Sequence, residues 1–186
     1  GARSRSLAPV APAGSLGQVY CDFMEREGLS AQGLVEELDR YRRPDQYFDD
    51  QVDWYYRRMR DTHDLMHILT GYGRDALGEQ CVLAFTYSQQ PALAHLFLGY
   101  AGALEIWKRM TVKVPVFGAV REAQRAGKAC PRLVEQPIRD LLALPLEEAR
   151  RRLNIAQPQR YREAHATWRA AGIDPYELIA PEAKAA

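Results

Sequence analysis

His63 and His67 stand four residues apart with Asp64 between them, and eleven residues separate His67 from Glu79. At about 100° per residue, a helix through this stretch places His63, Asp64, His67 and Arg60 on one arc of about 100°. Trp54, Tyr55, Met59, Leu65, Met66, Ile68 and Leu69 take most of the remaining circumference. A helix apolar over so much of its girth is mostly buried, so its polar stripe should face other protein or an internal cleft. Buried imidazole and carboxylate groups need partners, and a divalent cation would satisfy several at once. His residues at i,i+4 let one helical face offer two ring nitrogens to a metal, and Asp64 adds a hard oxygen. Such donors suit zinc first, with iron, manganese or magnesium as alternatives, better than a thiol-loving metal. One coordination position left to water or substrate would be the catalytic pattern. Asp64 or Glu79, where not a ligand, could act as a general base. Arg60 could bind a substrate anion or orient a carboxylate by a fork contact. Two His on a merely solvated face is the plainer alternative; the wide apolar girth and Glu79 after a glycine turn weigh against it.

Those residues need a helix, a tight turn and a second helix. Gly71 and Gly73 let the chain leave the first helix. Asp75 is placed to cap the next one, and Glu79, one turn in, can point back at the stripe. The spacing predicts this central helix over about 50–70, followed by helices to about Gln90, from Pro91 to Met110, and from Val114 to Gly127. Leu133–Leu144 is partly helical with a break at Pro137. Pro145 opens a charged helix, Pro158 starts an amphipathic helix to Ala171, and Asp174-Pro175 begins a last turn. Earlier, Leu16–Arg26 reads as a helix, and Ser30 caps a second, short one. No stretch alternates with period two between hairpin turns. The fold class is all-α, a single-domain helical bundle with short loops: a flexible tail over 1–14, a helical domain over 15–180, and a frayed end over 181–186. The 91–110 helix is the most hydrophobic, with Leu93, Leu96, Phe97, Tyr100, Leu104 and Trp107 on a broad face, so it is expected in the core. The Arg150–Arg152 cluster is expected on a solvated face, where it could also meet anionic lipid headgroups.

At 186 residues the chain fits one domain. A formal charge of +1 gives no global field for nucleic acid, so no nucleic-acid partner is expected. Cys21, Cys81 and Cys130 are odd in number and widely spaced, which points to neither a disulfide framework nor a thiolate zinc site. Each is expected to be a small buried hydrophobe. The Ala/Pro/Gly-rich start lacks the continuous apolar core of a signal peptide. The longest apolar run, near 91–107, is broken by His95 and Glu105 and falls short of the roughly 20 residues of a spanning helix.

The run His63-Asp64-x-x-His67-x11-Glu79, with Leu77-Gly78 before the glutamate, resembles the fourth member of the Coq family of ubiquinone (coenzyme Q) biosynthesis. Val120-x-x-Ala123-x-x-x-Gly127-Lys128 and Pro145-Leu146-Glu147-Glu148-x-Arg150-x-x-Leu153-x-Ile155 extend the resemblance across about 15–160. The isolated His-Asp pair also marks an unrelated phosphohydrolase superfamily, but that chemistry wants a distal His and Asp pair that the sequence does not make. The resemblance implies a divalent metal held by His63, Asp64, His67 and Glu79, with Asp64, Glu79 and Arg60 at the chemistry. It implies oxidative decarboxylation of a polyprenylated hydroxybenzoate, the ring carboxylate being replaced by a hydroxyl. Leu96, Tyr100 and Leu104 would then line a greasy channel for the prenyl tail. It further implies a membrane surface, other quinone-biosynthesis proteins and a second copy of the chain as partners. The location would be peripheral at the inner membrane, on the cytoplasmic side in a bacterium or the matrix side in a mitochondrion. The alternative is a non-catalytic prenyl-lipid carrier or scaffold for a quinone or other isoprenoid biosynthetic complex.

Overall fold

The computed structural model describes residues 12–26 and 62–178. Among them the architecture is all-α, as expected. The helices are α1 (Leu16–Arg26), α2 (residues 62–70), α3 (Ala76–Gln89), α4 (Leu93–Arg109), α5 (Val116–Ala129), α6 (Ile138–Leu142), α7 (Leu146–Arg152) and α8 (Gln159–Ala170). Short 3-10 turns occupy Leu133–Glu135 and Pro175–Glu177. The helix expected from Ser30, the first part of the one expected from Asp50, and Arg60 lie outside the described residues.

The described residues fall into two compact units, 12–26 with 137–149, and 62–136 with 150–178. In the first, α1 packs on α6. The Ser15 hydroxyl accepts from Gln18 N at 3.2 Å, satisfying one of the free amides of the first turn. Leu16 N donates to Leu144 O at 2.6 Å, beside an isolated antiparallel bridge between Ser15 and Pro145.

In the second unit α3 is the central element, with α4 and α5 packed on it and α8 packed on α5. Leu77, Cys81, Val82, Ala84 and Phe85 of α3 are fully buried. On α5 the buried positions are Val116, Ala119, Val120, Ala123 and Gly127, the i, i+3, i+4, i+7 and i+11 stripe of an amphipathic helix. Val120, Ala123 and Gly127 of the second sequence motif are therefore packing residues. The Gln89 side chain ties the end of α3 to the end of α5 and the 3-10 turn beyond it. Its Nε2 donates to Gly127 O at 2.7 Å and Cys130 O at 3.1 Å, while its Oε1 accepts from Leu133 N at 2.8 Å. Trp168 of α8 is wholly buried and donates through Nε1 to Val112 O at 3.1 Å.

Helix α4 corrects an expectation. Its composition predicts a core helix, yet its buried residues are Gly99, Ala103 and Ile106. The small residues let α4 lie close against α3, and the bulky side chains project elsewhere. Leu93 is 76% exposed, Phe97 71%, Trp107 42% and Leu104 40%. It begins at Leu93, with Ala92 at the cap, two residues after the expected Pro91. Pro137 interrupts its segment as expected, dividing the 3-10 turn from α6. Cys81 and Cys130 are buried and burial pushes both thiols up, Cys130 to about 12. Cys21, on α1, is exposed instead. Among the described residues no helix is long and apolar enough to cross a membrane.

Candidate metal centre

His63 and His67 sit on α2. Gly71 ends the helix with φ +77°, the left-handed conformation that glycine adopts without steric penalty, and its N–H donates to His67 O at 2.9 Å. Arg150 reaches the same helix end. Its Nε donates to Leu69 O at 2.8 Å and its Nη2 to Ile68 O at 3.0 Å. The expectation of a solvated Arg150 is thereby corrected: the last carbonyls of a helix lack intrahelical partners and attract cations.

Residues 71–75 then turn the chain. Asp75 caps α3 as expected, its Oδ1 accepting from Leu77 N and Gly78 N, both at 3.1 Å. A Cβ at position 78 would overlap the carbonyl of Gly73, so the glycine lets the first turn of α3 press against the loop. Glu79 is thus folded back towards α2.

His63, His67 and Glu79 each place one ligand atom within 4.8 Å of the other two. His67 Nε2 lies 3.6 Å from Glu79 Oε1, and the two imidazole centroids are 5.0 Å apart. His67 is buried at the back of the site, while His63 and Glu79 are half-buried at its mouth. Burial pushes the His67 pKa below its ordinary value, against the opposing pull of Glu79. The imidazole is therefore held neutral, the form that binds metal. His67 Nδ1 is 3.0 Å from the carbonyl of Tyr72. An acceptor there requires the proton on Nδ1, so the Nε2 lone pair faces Glu79. Two His and one carboxylate with an exposed side form a donor set that fits a divalent cation, leaving positions for other ligands.

The other sequence candidates fall around this trio. Asp64 stands outside it, its Oδ1 3.9 Å from His63 Nδ1. Arg74, which sequence reasoning does not single out, has Nε 3.9 Å from Glu79 Oε1; it occupies a polar turn with no periodicity to mark it. Leu96 and Tyr100 are half-buried and Leu104 is exposed. The Tyr100 hydroxyl donates to Gln124 Oε1 at 3.4 Å. A cleft of about 240 Å³ lies between Gln80 of α3 and Gly102, Glu105, Ile106 and Arg109 of α4. None of Leu96, Tyr100 and Leu104 lines it.

The family profile "Coenzyme Q (ubiquinone) biosynthesis protein Coq4" matches residues 4–159. A candidate ubiquinone biosynthesis protein from Nostoc punctiforme PCC 73102, known from a crystal structure, shares the fold with a TM-score of 0.56 at 23% sequence identity. The match covers 77% of this chain and 64% of that one, so the chain spans less than two thirds of that protein's length. No curated protein matches the chain. The profile runs through α2, α3 and α5 and takes in His63, His67 and Glu79, and the chain belongs to the Coq4 family of coenzyme Q (ubiquinone) biosynthesis proteins.

Proposed function

We propose that the protein replaces the ring carboxylate of a polyprenylated hydroxybenzoate by a hydroxyl, an oxidative decarboxylation, with a divalent metal held by His63, His67 and Glu79. The observation that carries this reading is the convergence of those three side chains on a site open at one side. The net change adds one oxygen atom to the ring and releases carbon dioxide. With molecular oxygen as oxidant it also consumes two electrons and two protons and forms one water. Zinc fits the donor set, and iron fits it equally while being able to exchange electrons. A bound cation would polarise the oxygens of the ring as a Lewis acid.

The chain's own residues have separate tasks. His67, buried and locked in one tautomer, fixes the back of the site. Asp64, beside His63, either orients that imidazole as an outer carboxylate or joins as a fourth ligand or a base. Arg74, and Arg60 from the sequence, are the cations proposed for the substrate carboxylate. The cleft near Gln80 is smaller than the roughly 300 Å³ at which small-molecule pockets begin. The tail is therefore assigned to the apolar side of α4, beside Leu96, Tyr100 and Leu104, where the protein would also meet a membrane surface. Other quinone-biosynthesis proteins, and a second copy of the chain, are the proposed partners, at the inner membrane.

The test is incubation of iron- or zinc-loaded protein with a prenylated hydroxybenzoate, oxygen and a reductant, with products followed by mass spectrometry. The expected product has lost the carboxylate and gained a hydroxyl, and His67→Ala and Glu79→Gln abolish it. Turnover that survives both substitutions would contradict the proposal. The exposed apolar residues of α4 also favour a second reading, a non-catalytic prenyl-lipid carrier. Native mass spectrometry with bound lipid and no turnover under any metal would select it.

A further inference from the structure

A second polar cluster, centred on the buried side chain of Asp75, links the start of α3 to α8. The Asp75 side chain has no exposed surface and that of His165 is 7% exposed. Capping α3 uses only the two amides already described, yet Asp75 receives two more hydrogen bonds from α8, 86 and 90 residues further along. His165 Nε2 lies 3.1 Å from Asp75 Oδ1, and the Tyr161 hydroxyl donates to Asp75 Oδ2. The same hydroxyl accepts from Gly73 N at 2.9 Å. Burial pushes the Asp75 carboxyl up, but the bonds from His165 and Tyr161 outweigh it and hold the group below its ordinary value. The cluster therefore joins a buried side chain of the α3 cap to two donors on α8.

We propose that Tyr161 and His165 are positioning residues of the metal centre, holding the 73–75 segment that sets Glu79 against His67. The inference rests on the reading that His63, His67 and Glu79 bind a divalent cation. Neither α8 side chain belongs to that trio, so both act through the loop. The loop joins the two ligand helices and is fastened at three points. His67 Nδ1 donates to Tyr72 O, Gly73 N donates to Tyr161, and Asp75 joins the first turn of α3 to Tyr161 and His165. Removing the Tyr161 hydroxyl takes a partner from Gly73 and from Asp75, and at the fully buried Asp75 side chain the loss is not made good by bulk water. The loop then relaxes, and the separation of His67 and Glu79 relaxes with it. Partners beyond the ligands commonly change metal affinity 10- to 100-fold.

The test uses the full chain with Tyr161→Phe, His165→Gln and, as a control, Leu133→Ala. Leu133 is fully buried and its backbone binds Gln89 at the opposite end of α3 from Glu79. Cobalt(II) absorption spectra and zinc affinity by chelator competition are measured beside urea stability. The expected result is an affinity loss of about 10-fold or more in Tyr161→Phe and His165→Gln, with an altered cobalt spectrum. Leu133→Ala should keep the wild-type affinity and spectrum at an equal or larger loss of stability. Tyr161→Phe and His165→Gln binding cobalt as the wild type does would overturn the positioning role while leaving the metal site standing. An equal loss in Leu133→Ala would overturn it too. A wild-type chain that binds no cobalt would remove the metal reading and this inference together. Should Tyr161→Phe not fold, His165→Gln alone decides.

Discussion

His67 Nδ1 lies 3.0 Å from the carbonyl oxygen of Tyr72, five residues on and already past the end of α2. A carbonyl only accepts, so this contact selects the tautomer with Nδ1 protonated. Nitrogen-15 NMR of the imidazoles at neutral pH should show His67 as that single tautomer. Addition of zinc should move its Nε2 resonance and leave the Nδ1 proton in place. An Nε2-protonated ring would show that the lone pair does not face Glu79.

Gly71 and Gly78 serve different purposes, and substitution separates them. Gly71 has a positive φ, but a Cβ there meets only ordinary contacts, the nearest 3.5 Å away. Gly71→Ala should cost about 1 kcal/mol through backbone strain. A Cβ at Gly78 would run into the Gly73 carbonyl, so Gly78→Ala forces loop and helix apart and should cost about 3 kcal/mol. Urea unfolding measures both. Metal affinity should fall with Gly78→Ala far more than with Gly71→Ala, and equal effects would contradict the close approach of α3 to the loop.

The cysteines give a test of the packing with a clear pH sign. A raised thiol pKa lowers the thiolate fraction, and thiolate is what alkylating agents attack. With Cys130 at about 12, only about one thiol in ten thousand is ionised at pH 8; Cys81 is also raised well above its ordinary value. The native protein should therefore take a label rapidly at Cys21 alone, with Cys130 reacting faster only as the pH rises towards 12. All three should react in denaturant. Fast labelling of Cys81 or Cys130 in the native state would contradict the burial of α3 and the end of α5.

Much of the candidate site is legible in the sequence because it depends on local geometry. The i,i+4 pair His63 and His67, the glycine exit at Gly71 and the Asp75 cap each need only a few neighbouring residues, and together they bring Glu79 back to α2. Helix α4 departs from its expected place for a physical reason. Its composition is apolar, but composition does not say that Gly99 and Ala103 would be the contact side and Leu93, Phe97 and Trp107 the outer one. The links from Asp75 to Tyr161 and His165, and from Arg150 to Leu69 and Ile68, span 81 to 90 residues. No periodicity carries such pairings; they arise only when α8 and Arg150 meet α2 and α3.

The outer side of α4 should bind lipid surfaces. Burying one large apolar side chain is worth about 1.5–3 kcal/mol, or about 10-fold or more in affinity. Phe97→Ser and Trp107→Ser should each weaken co-sedimentation with anionic phospholipid vesicles by about that factor. Neither should lower the unfolding temperature much, since both side chains are already exposed. Unchanged vesicle binding would remove α4 as the lipid-facing element.

Zinc and iron(II) titration calorimetry on the metal-stripped chain, compared with His67→Ala, Glu79→Gln and Asp64→Asn, bears on the central claim most directly. The account predicts one tight site in the wild type and none in His67→Ala or Glu79→Gln. Asp64→Asn, outside the trio, should weaken it by about 10- to 100-fold without abolishing it. Wild-type affinity in His67→Ala and Glu79→Gln would contradict it.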